Sequence, residues 1–354
     1  MKKELLMASA LVGSMGVASV AEAVTATFSG HHRTGVQFES ATGGTDTNSV
    51  SNQSSFSVAL SEVTDGGTTI ASSFMLQNEG GGLDNDTAIT LTFTDGTKLD
   101  LLNAGNAAAG HDVSIPGSAG EESITVTTTN NAPSGIDFMG GSTVLGVEWH
   151  SAADFLADGL KVSASFSTDT GAAATATARA DSHWAIGATY VTDAGDTAVT
   201  IGTGLSATDY SKTGTSLTQN ESGYHIGVSA VTGDLTIAIG FGDGDDIADD
   251  GTSSNGDAST QVDGEVVKAG VKYVTGDMTL QLGVVSGTAQ DSDTIGTAGT
   301  NDDSYDKTSA SISYAVASGV TAILGYSTVD SSDEGAADTD SKGSAWYIGA
   351  DMAF

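Results

Sequence analysis

The sequence predicts an all-β chain closed into a transmembrane antiparallel β-barrel of about 16 strands, and three observations carry that reading. Segments of alternating apolar and polar residues recur along the chain, the period at which a strand shows one face to each side. Tight glycine turns alternate with long acidic gaps, and Gly233, Gly276 and Gly319 lie 43 and 43 residues apart. The last nine residues put Trp346, Ile348, Ala350, Met352 and Phe354 on one face and Asp351 on the other. Such a stripe needs a nonpolar partner, and for a barrel wall that partner is lipid.

Residues 1–23 are expected to be a cleaved signal peptide. Lys2 and Lys3 precede an apolar run from Leu5 to Val20, and Ala21, Glu22 and Ala23 supply the small-residue cleavage region. Broken by Ser9, Gly13, Ser14 and Gly16, the run falls short of the ~20 apolar residues of a spanning helix. Residues 24–354 then form a single barrel domain.

Composition narrows the function classes. There are 47 Gly, two Pro and no Cys, a usage that suits short strands and turns more than helices. Without cysteine there is no disulfide scaffold, thiolate zinc site or thiol nucleophile. A formal net charge of −34, from 45 acidic and 11 basic residues, repels nucleic acid and removes it as a partner.

Alternation over residues 24–354 gives sixteen strands, at 24–39, 52–62, 69–78, 86–94, 97–103, 142–150, 159–168, 182–192, 196–205, 222–231, 234–242, 264–274, 277–286, 307–317, 320–330 and 343–354. The hairpin at 222–242 shows the unit: Tyr224, Ile226, Val228 and Ala230, a turn at Thr232, Gly233 and Asp234, then Leu235, Ile237, Ile239 and Phe241. The next repeats it from Val267 through Gly276 to Val284. Two strands per period exclude a propeller blade, which needs four. An even strand number with both termini on one side gives seven short turns there and eight longer loops opposite. Ala104 to Gly141 breaks the rhythm and holds both prolines, Pro116 and Pro133. An irregular connection of that length is normally functional or disordered.

These features together resemble the Gram-negative general porins, sixteen-stranded barrels assembled as homotrimers. The first strand, with Phe28, Gly30, Arg33, Gly35 and Val36, is similar to the family's opening strand, which often carries a basic residue. The third, with Ile70, Ala71, Leu76, Gln77 and Glu79, is similar to its glycine-, aliphatic- and glutamine-rich third strand. The resemblance implies an outer-membrane channel in contact with lipid and lipopolysaccharide, passing small hydrophilic solutes and ions, with no required cofactor. It also implies that the long third loop, 104–141, folds into the lumen and narrows it, and that Phe354 is read as an assembly signal.

If the apolar face meets lipid, Arg33, Lys98, Asp100, Glu148, Lys161, Lys268, Lys272 and Asp351 line the pore, and His150 shares their face. Glu265 is the exception, an acidic residue on the lipid side at a strand end. By the resemblance, Asp112, Glu121, Glu122 and Asp137 supply an acidic constriction face opposite Arg33 and Lys98. Acidic loops over the mouth lead to an expectation of weak cation selectivity. The run Asp243, Asp245, Asp246, Asp249 and Asp250 offers oxygen ligands of the kind calcium takes, so it is a candidate Ca2+ site. Trp149, Trp184, Trp346, Tyr190, Tyr224, Tyr273, Tyr314 and Tyr326 are expected in interfacial girdles. Catalytic motifs are absent and the six histidines read as scattered, so an enzyme is not expected. The alternative reading is a secreted acidic β-rich adhesin or solenoid.

Overall fold

A computed structural model describes residues 24–41, 46–77, 82–84, 89–102, 106–117, 146–168, 179–211, 219–248, 260–290, 302–332 and 341–354. The signal-peptide segment 1–23 lies outside the described residues. The strands are β1 Thr25–Ala41, β2 Thr47–Val63, β3 Thr69–Gln77, β4 Gly82–Asp84, β5 Ile89–Thr92, β6 Lys98–Leu101, β7 Gly146–His150, β8 Leu160–Thr168 and β9 Arg179–Ala194. They continue as β10 Thr197–Ser211, β11 Gln219–Thr232, β12 Leu235–Ala248, β13 Thr260–Thr275, β14 Met278–Gln290, β15 Asp302–Ala317, β16 Val320–Ser332 and β17 Ser341–Ala353.

Apart from β4 and β5, each strand pairs antiparallel with its neighbours in sequence, and β1 pairs with both β2 and β17, so the sheet closes. The short β4 and β5 both pair with β3 and together occupy one barrel position, which makes sixteen positions from seventeen segments. At one end six of the seven connections are tight and the β7–β8 connection runs over nine residues, and each of the seven carries one glycine of positive φ: Gly67, Gly96, Gly159, Gly195, Gly233, Gly276 and Gly319. The backbone there needs a left-handed residue that glycine supplies without steric cost. The longest connections, β6 to β7 among them, leave from the other end.

Most strands run past their expected bounds toward the long-loop end. β11 begins at Gln219 instead of 222, β12 runs on to Ala248 instead of 242, and β15 begins at Asp302 instead of 307. Beyond the lipid both faces of a strand meet water, so apolar alternation stops while the hydrogen-bond ladder continues. β6 is shorter than expected, ending at Leu101.

Burial runs inverted with respect to a water-soluble protein. Ser163, Ser165, Ser167, Ser206, Ser311 and Ser327 are buried on the inner wall, while Ile237, Ile239, Leu282 and Ile348 are about half exposed on the outer one. An apolar exterior over a polar interior is the pattern lipid imposes on a closed barrel. Tyr224 stacks obliquely on Phe241 and Tyr326 on Trp346, ring centroids 6.0 and 4.4 Å apart, toward the long-loop end of the outer face. Tyr273 and Tyr314 sit beside the tight turns, so aromatic residues border the apolar surface at both ends.

The seam closes through the terminal residue. Phe354 N–H donates to the Gly30 carbonyl at 3.0 Å, and Gly30 N–H donates back to the Phe354 carbonyl at 3.2 Å. Its ring covers Gly30, where any Cβ would collide with it, and stacks on Phe56 at 6.5 Å. Phe56 in turn stacks on Phe28 at 5.8 Å.

Candidate functional site: the lumen wall and its inner loop

From Asn106 to Gly117 the chain leaves the barrel position of β6 and lies against the inner wall. Its path is recorded by inward-facing glycines. A Cβ at Gly187 would strike the Ala107 carbonyl and the His111 ring, one at Gly204 would strike Ala108, and one at Gly227 would lie 2.8 Å from the Val113 Cβ. Farther along, Gly240 faces Ile115, Gly270 faces the backbone of Pro116, and Gly283 faces Pro116 and Gly117. Register sets these residues in one lane, with a two-residue step between Gly204 and Gly202 and another between Gly240 and Gly270: Gly187 pairs with Gly204, Gly202 with Gly227, Gly227 with Gly240, and Gly270 with Gly283. Only glycine lets a second backbone approach a strand this closely.

Side chains from the wall hold the segment. Asn106 Oδ1 accepts the Ala108 and Ala109 N–H groups at 2.9 and 3.3 Å and so opens the single 3-10 turn at Ala109–His111. The Ala107 N–H donates to Ser165 Oγ at 3.1 Å, and the His225 Nε2–H donates to the Ala108 carbonyl at 2.8 Å. His111 bridges Thr189 Oγ1 at 2.6 Å and Ser163 Oγ at 2.9 Å. Burial holds the His111 imidazole below the ordinary histidine pKa, and the nearness of His150, His225 and Lys161, each of which would repel a second positive charge, lowers it further.

The same Ser163 hydroxyl continues to His150 Nδ1 at 2.9 Å, and His150 Nε2 stands 2.8 Å from Asp100 Oδ2. Thr90 Oγ1 donates to the other Asp100 oxygen. An aspartate, a histidine and a serine are thus in line, in the order used for nucleophilic catalysis. Here the serine is 4% exposed and its hydroxyl is shared by two imidazoles.

The histidines therefore correct the sequence reading. His111, His150, His183 and His225 converge on one wall, with His183 Nε2 3.5 Å from Asn106 Nδ2 and His225 Nδ1 3.6 Å from Asp112 Oδ1. Strand parity placed His150 inward, but the meeting of the four depends on cross-strand register and on the path of residues 106–117.

The charged residues singled out in the sequence lie as follows. Arg33 Nε donates to Asp351 Oδ2 at 3.2 Å across the seam, and Nη1 to Gln53 Oε1 at 3.2 Å. Asp100 faces Glu148 in register, and Lys98 faces His150. Lys161 has the parity of Ser163, and Lys268 and Lys272 flank Gly270 on its inner face, one on each side of the Pro116 crossing. Asp112 projects half exposed from the inner segment, whereas Glu121, Glu122 and Asp137 fall outside the described residues. Asp243 stands opposite Glu265 on the outer face, and the side chains of Asp245, Asp246, Asp249 and Asp250 fall outside the described residues.

A closed barrel with polar interior, apolar exterior and a chain segment laid across the inner wall defines an outer-membrane β-barrel of the channel-forming class. The profile of the Gram-negative porins matches residues 8–334, and the chain belongs to that family. Among solved structures, an anion-selective porin from Comamonas acidovorans is similar at 12% identity, with a TM-score of 0.64 over 94% of this chain and 100% of that one. A loop-deletion form of OmpT, an outer membrane protein of Vibrio cholerae, is similar at 15% identity, with a TM-score of 0.60 over 94% and 100%. A further porin structure gives 18% identity and a TM-score of 0.60 over 93% and 100%. No curated protein matches in sequence. The protein is thus an outer-membrane porin channel, and a closed barrel does not favour the adhesin or solenoid alternative.

Proposed function

We propose that the channel passes small hydrophilic solutes and ions by passive diffusion, with the 106–117 segment narrowing the lumen. The observation that carries this is the glycine lane, which fixes a loop segment against seven adjacent strand positions from β8 to β14 of the inner wall. The narrowest section of a pore controls its resistance. Chemistry at the wall is proposed to play no part, since the aligned Ser163 is enclosed.

The selectivity proposed is weakly for cations. Arg33 is neutralised by Asp351, and Asp100, Glu148 and Asp112 oppose Lys98, Lys161, Lys268 and Lys272 within a chain of formal charge −34. One similar porin is anion-selective, so reversal potentials across a salt gradient decide the sign. Cation preference that strengthens in Lys268→Glu/Lys272→Glu supports the proposal, and an anion-selective wild type at low salt overturns it.

Three further points belong to the same reading. OmpT of Vibrio cholerae has been described in a trimer form, and a homotrimer is proposed for this chain. Residues 1–23 are proposed to be removed on export, and lipopolysaccharide to surround the long-loop end. The acidic run Asp243, Asp245, Asp246, Asp249 and Asp250 is proposed to take Ca2+ beside lipopolysaccharide.

A further inference from the structure

Three donor atoms converge on the lumen wall beside the inner loop. Asp100 and Glu148 face one another on β6 and β7, and His150 lies two residues beyond Glu148 on the same face. His150 Nε2 is 2.8 Å from Asp100 Oδ2 and 3.8 Å from Glu148 Oε1, and one donor atom of each residue lies within 4.8 Å of the others. The geometry points to a binding site for a divalent first-row transition cation, of which Zn2+ is the probe, formed by Asp100, Glu148 and His150.

Electrostatics favours a cation here. Carboxylates directly opposite on adjacent strands repel, and Glu148 is 5% exposed, so water screens the pair poorly. Donor chemistry selects the ion. One imidazole nitrogen with two carboxylate oxygens suits zinc and its neighbours, whereas calcium and magnesium take oxygen alone. Zinc lies about 2.0–2.2 Å from such donors, so they must stand no more than roughly 4.4 Å apart, which small side-chain rotations achieve. Access is open from the lumen, because the His150 side chain is 26% exposed and that of Asp100 15%.

The surrounding groups are arranged as outer partners of metal ligands are. Thr90 Oγ1 holds one Asp100 oxygen, leaving Oδ2 directed at the site. With no metal, the chain of hydrogen bonds runs in one sense: Thr189 O–H to His111 Nδ1, His111 Nε2–H to Ser163, Ser163 O–H to His150 Nδ1, and His150 Nε2–H to Asp100. A cation on His150 Nε2 takes the lone pair there and leaves the ring proton on Nδ1. Ser163 then accepts from His150 and donates to His111 Nε2, and the His111 Nδ1–H donates to Thr189. The bonds from His150 to Thr189 are all kept in the opposite sense, and no proton is gained or lost between the neutral rings. The ion is thus coupled to His111, the residue that pins the loop.

The test uses the full-length barrel extracted in detergent, stripped with chelator and checked for folding by heat-modifiable migration. Titration with Zn2+, read by calorimetry and elemental analysis, should show one ion per chain that His150→Asn and Glu148→Gln abolish and His32→Asn leaves in place. Ser163→Ala should weaken binding about tenfold or more, as loss of an outer partner does. Co2+ should give a visible d–d band that calcium does not remove, and this band carries the test in Glu148→Gln if His150→Asn does not fold. If wild type takes up no more zinc than His150→Asn, the site does not exist, and the three residues are only a hydrogen-bonded part of the wall. Binding is read directly, so this result stands whatever the conductance measurements give.

Discussion

Adding one methyl group at Gly187 and one at Gly270 in the glycine lane tests whether the inner segment is held where it lies. At Gly187 a Cβ would sit 2.5 Å from His111 Cδ2, and at Gly270 2.8 Å from the Pro116 carbonyl carbon. Carbon atoms in contact stand about 3.5–4.0 Å apart, so each methyl displaces the loop by roughly 1 Å. Overpacking of this kind costs about 1–3 kcal/mol per site. Against it stand the anchors to Ser165, Ser163, Thr189, His225 and His183, five hydrogen bonds at roughly 0.5–1.5 kcal/mol each. Together these amount to about 3–7 kcal/mol. A single Gly270→Ala should therefore leave the loop docked, while Gly187→Ala/Gly270→Ala brings docking near balance. Single-channel conductance in planar bilayers should rise in the double variant, and a protease should begin to cut between residues 106 and 117. A folded double variant with wild-type conductance and an uncut loop would refute the assignment of that segment to the lane.

Three other expectations are open to direct measurement. Deleting Phe354 removes its paired hydrogen bonds to Gly30 and its ring from Phe56, so the folded, heat-modifiable fraction should fall; equal yields would remove its proposed role in assembly. Ile239→Lys, on the outer face, should cost about 2–4 kcal/mol in urea titrations in lipid vesicles, whereas Gln281→Lys, on the inner face, should cost little; equal effects would invalidate the assignment of faces. The exposed Asp95 carboxylate accepts the Thr97 Oγ1–H at 2.7 Å and N–H at 2.9 Å, which hold its pKa below 3.8. Because the folded value is depressed, its contribution is full above the unfolded value and is lost as pH falls through the folded one. Thr97→Ala should bring the Asp95 titration, followed by NMR, back toward 3.8, and an unmoved curve would exclude the hydrogen-bond origin.

The barrel was legible because lipid writes period-two alternation into the membrane-crossing part of each strand, as in Ile237, Ile239 and Phe241 of β12. The continuation of β12 through Asp245 to Ala248 was not, since water bathes both its faces and no pattern marks it. The inner loop was half legible. Pro116 and the length of the segment announce something irregular, but Gly187, Gly227 and Gly270 look in sequence like ordinary strand glycines, whereas each is a place where another backbone comes close. The histidine convergence stayed hidden because His111, His150, His183 and His225 belong to four segments brought together only by register.

Barrel closure sets the order in which the molecule can be made. Every neighbouring pair of strands is local in sequence except β1 with β17, whose Arg33 and Asp351 are 318 residues apart. Joining such a pair in a loose chain costs about 5 kcal/mol by the logarithmic law of loop closure. Hairpins that form first and add in turn bring the two edges toward each other, so most of that entropy is spent on local steps. Closure then comes last. A chain stopped anywhere before β17 retains two unpaired edges, open to other strands.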